Sequence, residues 1–285
     1  MSRTFRRLIC LFFGTLFLGL PGSLLAQHRH INAGAASPSP GSPLQFANGA
    51  LFNADSGFLI HLNPLNHLVY GSIFFGGSDV TFTSLPATLN NGGPDPSAAL
   101  PGTHVEMIFE SVQGPAGGAF SCWDSFDGFF DATEITFTVP SGSTGGTNRF
   151  ILSENDGSPG VDPYGHIHGR KFSVNRPGIY TVGVRLVDTG NNGPGGTPLH
   201  AASDLIFFNF VAGIVLADVR LNSDSTVVRF GTDTGVNYWV ESSAELGAKA
   251  SWRSVAGPIS GTGRLESVTL PGAPAVRAFY RLRTE

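Results

Sequence analysis

Two His-x-His triplets, His28-Arg29-His30 and His166-Ile167-His168, are the residues of this chain best suited to chemistry. Side chains alternate faces along an extended strand, so each triplet puts two imidazoles on one face. Such a pair is a bidentate site for a transition metal, and four imidazoles would fill the tetrahedral shell that zinc prefers. Eight histidines placed at random among 285 residues would give about 0.2 such triplets, and two occur. Gly165 and Gly169 flank the second triplet, where glycine allows the backbone to approach a ligand or a neighbouring strand closely.

Further candidates surround this set. His200 follows the turn-rich stretch Asn191 to Pro198 and could swing back toward His166 as another ligand. His104 shares a strand face with Glu106 and Glu110, a mixed nitrogen and oxygen donor set. The candidate metal ligands are therefore His28, His30, His166, His168, His200 and His104, with Zn2+ as the first expected ion and Cu2+ as the second. His61 and His67 flank a turn at Asn63-Pro64 and read as structural. Cys122 is expected to be a buried small hydrophobe rather than a ligand or nucleophile. Asp124, Asp127 and Asp131, and separately Asp156 and Asp162, lack the spacing of a calcium loop. There is no G-x-S-x-G elbow, no H-E-x-x-H, no phosphate-cradling G-x-x-x-x-G-K and no Rossmann glycine pattern. No catalytic residue is therefore assigned.

The elements that would carry these residues are β-strands. The 38 glycines, 19 prolines and 23 phenylalanines accompany few stretches of helical period, and short alternating runs recur between turn clusters. That pattern predicts an all-β chain: an immunoglobulin-like β-sandwich over residues 27–212, then a small second β domain over 213–285. In the first unit, strands are expected at Phe58 to Leu62, Leu68 to Phe75, Val80 to Leu85 and from Val105 past Phe109. Others follow at Ile135 to Val139, Phe150 to Leu152 and Leu205 to Val211. The clearest pair is Arg170 to Val174 and Ile179 to Val187 about the turn Asn175-Arg176-Pro177-Gly178. The segment Asn32 to Pro43 is rich in Gly, Pro, Ser and Ala, so the first triplet could hang loose or lie as an edge strand against the second. Six short strands are expected in the second unit, which has no histidine.

Residues 1–26 read as an export signal. Arg3, Arg6 and Arg7 precede an apolar run from Leu8 to Leu20, and cleavage is expected after Ala26. Its removal takes three of 17 basic residues and none of 21 acidic ones, shifting the formal charge from −4 to −7. A mildly acidic chain with two lysines and no basic stripe is a poor nucleic-acid binder. No later stretch reaches the roughly 18 apolar residues of a membrane helix. Only Cys122 would remain in the mature chain, which excludes an intramolecular disulfide.

Three stretches together, QHRHINAGA, VQGPAGGAFSCWD and DPYGHIHGRKFSVNRPGIYTVGVRLVDTGNNGPGGTPLHAASD, resemble the zinc-uptake-regulator-repressed PEP-CTERM secreted proteins. The His-x-His followed by FxxxPGxYxV is also similar to the choice-of-anchor M surface-anchored domains. The resemblance spans roughly Gln27 to Ala212 and implies an exported β-sandwich made under zinc starvation. The family's sorting helix is not expected here, because YWVESSAEL…SWRSV…AFYRLR stands in its place. That unit resembles the carboxy-terminal β domain of secreted Verrucomicrobia-type proteins.

The sequence thus points to a secreted, periplasmic or surface protein that binds zinc as scavenger, buffer or delivery protein, with a metal transporter or cell-surface component as partner. Two other readings stay open: a structural or adhesive surface protein in which metal only staples the fold, and a copper enzyme using an N-terminal histidine.

Overall fold

Alternation of apolar and polar side chains dictates this architecture, and β-strands dominate the computed structural model. It describes residues 29–64, 75–77, 80–124, 134–167, 170–247, 250–272 and 277–285. The expected export signal, His28, His67, His168, Gly169, Asp127 and Asp131 lie outside the described residues. So does most of the strand expected at Leu68 to Phe75. Among the described residues no helix is long and apolar enough to cross a membrane.

The first unit is built from β1 (Arg29–Ala35), β2 (Leu44–Phe46), β3 (Leu59–Pro64), β4 (Phe75–Gly77), β5 (Val80–Ser84) and β6 (Val105–Gln113). It continues with β7 (Ala119–Asp124), β8 (Ile135–Pro140), β9 (Asn148–Ile151), β10 (Arg170–Val174), β11 (Gly178–Asp188) and β12 (Ile206–Ala212). Nine of these form one sheet in the order β8-β7-β10-β4-β3-β12-β11-β6-β9. This sheet folds over on itself. In a flat sheet, β6 and β7 would stand about 29 Å apart at roughly 4.8 Å per strand. Instead the ring of Phe109 on β6 lies 6.3 Å from Phe120 on β7 and 5.1 Å from Phe137 on β8. The two arms therefore face each other as the layers of a sandwich around a phenylalanine core that includes Phe172 and Phe210.

A second sheet, β2-β1-β5, packs Phe46 and Phe82 against Phe208 of this core at 5.5 and 5.4 Å. Here β1 is the central strand, with Ile31, Ala33 and Ala35 fully buried. The small residues Ala33, Gly34 and Ala35, part of the stretch that left a loose segment or an edge strand open, are what allow β1 to lie inside the molecule. β11 keeps the expected alternation, with Tyr180, Val182, Val184 and Leu186 all buried. Its expected pairing with β10 does not occur. β10 pairs with β7 and β4, whereas β11 pairs with β12 and β6. The turn at Asn175 to Gly178 carries the chain from one arm to the other: the Ala119 amide donates to Asn175 Oδ1 and the Tyr180 hydroxyl to the Arg176 carbonyl.

The second unit has β13 (Leu216–Leu221), β14 (Ser225–Gly231), β15 (Asn237–Ser243), β16 (Arg253–Ser260), β17 (Leu265–Pro271) and β18 (Phe279–Thr284). They form two three-stranded sheets, β13-β14-β17 and β16-β15-β18, around a separate core of Val228, Phe230, Tyr238 and Val240. This unit meets the first at Ser56 to His61. The Leu265 amide donates to the Gly57 carbonyl at 3.1 Å, and His61 Nδ1 lies 2.5 Å from Asp233 Oδ1. The guanidinium groups of Arg29 and Arg264 both lie over the Phe58 ring, at 5.0 and 6.0 Å. The second unit thus reaches the start of the strand that bears His30.

Candidate metal centre

His30 is held by the backbone of β1. Burial of Ile31, Ala33 and Ala35 directs the even-numbered residues of this strand to the other face. On one edge β1 runs parallel to β5, pairing His30 with Thr81. On the other edge β2 covers only Ala33 to Ala35. The Asn48 side chain takes the place of the missing strand, donating from Nδ2 to the His30 carbonyl and accepting at Oδ1 from the Asn32 amide, both at 2.8 Å. Thr83 Oγ1 donates to Asn32 Oδ1 across the pair.

His166 is held by a loop that is tied on two sides. Gly165 and Ser84 exchange backbone hydrogen bonds of 2.9 and 3.1 Å, so the loop extends the end of β5. On the other side the Glu154 amide donates to the Tyr164 carbonyl at 2.9 Å, and Glu154 Oε1 accepts from the His166 amide at 2.7 Å. Gly165 has to be glycine: a Cβ there would lie 1.7 Å from the Leu152 carbonyl oxygen.

Because β1 and the loop both border β5, His30 and His166 meet. The His30 and His166 rings lie 4.5 Å apart between centroids, inclined at 55°. Two imidazoles on one tetrahedral zinc, with Zn–N near 2.0–2.1 Å, would place their centroids about 5 Å apart. The observed approach is close to that value, and the inclination is not that of face-to-face stacking. The separation is compatible in size with two rings on one ion. Among the described residues no group of three His, Cys, Asp or Glu side chains converges.

The remaining candidates sit elsewhere. His200 is buried, its Nδ1 2.8 Å from the Ser42 carbonyl and its Nε2 accepting from the Leu100 amide at 2.9 Å. Both ring nitrogens thus serve the fold. The adjacent Ala201 carbonyl accepts from Leu44, which pairs with Ala35. That is five residues along β1 from His30, about 16 Å at strand rise, so His200 is too far to join the pair. His104 Nδ1 lies 3.1 Å from Asn155 Oδ1, and its Nε2 is 4.0 Å from Glu106 Oε1. Glu106 and Glu110 pair with Arg149 and Arg185.

Cys122 is free and buried; burial pushes its thiol well above the ordinary value, with Arg170 opposing. Asp162 accepts from the Ala87 and Tyr164 amides, and Asp156 from Ser158, as turn formers do. The second unit holds a groove of about 700 Å³ that includes Arg253, Arg277 and Tyr280 and no histidine.

Asn48 and Glu154, which position the two histidines, carry no sequence pattern that would announce them. No protein-family model matches this chain, and no curated protein sequence matches it.

Proposed function

We propose that this protein is an exported binder of a transition metal, zinc first, acting in metal homeostasis outside the cytoplasm as scavenger, buffer or delivery protein. The observation that carries the reading is the 4.5 Å approach of His30 and His166, residues from two triplets that lie far apart in the chain. By sequence spacing alone, the two triplets offer His28 and His168 as further donors, which would make four neutral imidazoles. The apolar run and basic residues within 1–26 support export, and the resemblance to zinc-repressed secreted proteins supports zinc as the cargo. Because imidazoles bind metal only when neutral, affinity falls as pH drops below about 6.5.

The test is zinc content and affinity of the mature protein beside a His166→Ala/His168→Ala variant. The reading requires near-stoichiometric tight zinc in the former and its loss in a folded variant. Absence of specific binding by the mature protein would overturn it. Rate of loss to a chelator then separates a carrier, which exchanges readily, from a staple, which releases metal only on unfolding.

A further inference from the structure

We propose that a polar groove in the second unit binds an acidic saccharide, a glycan chain that carries carboxylates as well as hydroxyls. This inference is independent of the metal-binding reading above.

The groove forms where the core of this unit stops. Inward positions along β14 run from Phe230 through Val228 to Thr226, and along β15 from Tyr238 through Val240 to Ser242. Apolar side chains thus give way to hydroxyls at one end, and the two sheets border an opening of about 700 Å³ there. That volume falls within the roughly 300–1,000 Å³ of ligand sites and leaves room for more than a single sugar ring. Strand register sets Arg253 and Tyr280 on either side of Ser242. All three line the groove, together with Ser254 and Arg277.

Charge is sorted between the units and within this one. Residues 213–285 carry eight basic side chains against seven acidic ones, whereas 27–212 carry six against 14. On the opposite face of β15 and β18, Arg281 and Arg283 pair with Glu241 and lie over the Trp252 and Trp239 rings. Arg253 and Arg277, on the groove, are exposed and have no carboxylate within 4.0 Å among the described residues. Each therefore keeps its fork of N–H donors for a carboxylate, which a guanidinium grips with two parallel hydrogen bonds.

Glu245 also lines the groove, so the site is not uniformly positive. Its carboxylate repels a pure polyanion but accepts from a sugar hydroxyl, and the serine hydroxyls both donate and accept. A ligand that satisfies the arginines and Glu245 together must present acid groups and hydroxyls, as a uronic-acid chain does. Nucleic acid offers no such match and meets a chain of formal charge −7 once the export signal is removed.

The experiment is calorimetric titration of tetragalacturonate and tetraglucuronate into the full mature protein, stripped of metal by chelator. The methyl ester of each, free galacturonate and inorganic sulfate serve as comparisons. At least one tetramer should bind, and its methyl ester at least about tenfold more weakly. Affinity should fall about 10–100-fold in Arg253→Gln/Arg277→Gln and stay unchanged in Arg229→Gln, which lies off the groove. Melting confirms that the double variant, altered only at exposed side chains, keeps its fold. Absence of binding by both tetramers overturns the proposal, as does parent-like binding by the double variant. Equal binding of the methyl ester removes the acid from the account. Free galacturonate binding as tightly as the tetramer overturns recognition of a chain, and displacement of the tetramer by an equal concentration of sulfate reduces the groove to a simple anion site, which overturns the proposal too.

Discussion

Replacing Gly165 by alanine tests how the site is built. The new Cβ would stand 1.7 Å from the Leu152 carbonyl oxygen, where contacts under 3.0 Å essentially never occur. The loop must therefore retreat by at least about 1.3 Å. That displacement breaks or lengthens four hydrogen bonds: two between Gly165 and Ser84, Glu154 to Tyr164, and His166 to Glu154 Oε1. At roughly 0.5–1.5 kcal/mol each, with partial recovery, the net loss is about 2–4 kcal/mol. For a chain of this size that is a fall in melting temperature of roughly 4–16 °C. The same retreat displaces His166 relative to His30 by more than the roughly 0.2 Å tolerance of a metal bond, so zinc affinity should fall by at least about tenfold. Denaturant unfolding and zinc titration of Gly165→Ala measure both. Stability within about 0.5 kcal/mol of the parent, with unchanged affinity, would refute the loop's role.

The other expectations separate fold from site. His200→Ala should destabilise the protein by about 2–4 kcal/mol, since it strands the Leu100 amide and the Ser42 carbonyl, yet leave zinc stoichiometry unchanged; lost stoichiometry in a folded variant contradicts this. Asn48→Ala removes two hydrogen bonds from β1, so a loss of about 1–3 kcal/mol and weaker zinc binding are expected by the same two assays. In the second unit, hydrogen bonds from Arg281 and then Arg283 hold the Glu241 carboxyl below its ordinary value. A depressed carboxyl contributes stability above its unfolded value and loses it as pH falls through the folded one. Glu241→Gln should therefore melt below the parent at pH 7, with the gap closing below about pH 4; a gap of equal size at pH 2 would contradict the pairing.

The strands whose alternation was strong were legible: β11 appears close to its expected bounds, and the second unit has six short strands as expected. β1 was only half legible: the alanine and glycine of Asn32 to Pro43 left open a loose segment or an edge strand, whereas they are small because β1 is buried as a central strand. The adjacency of β10 and β11 in sequence suggested a hairpin, but a four-residue turn can as easily cross between layers, and it does. In the site, the period-two spacing of His28 with His30 and of His166 with His168 was visible. That His30 and His166 meet depends on β1 lying parallel to β5, a non-local pairing with no local signature. Asn48 and Glu154 act through side-chain contacts to backbone 12 to 18 positions away, and no periodicity marks such contacts.

X-ray absorption at the zinc edge, on mature protein loaded with one equivalent of zinc, tests the central claim most directly. Binding by both triplets requires a first shell of nitrogen near 2.0 Å with imidazole scattering, diminished in a His30→Ala/His166→Ala variant. A shell of oxygen or sulfur without imidazole, or the same spectrum from the variant, would contradict it.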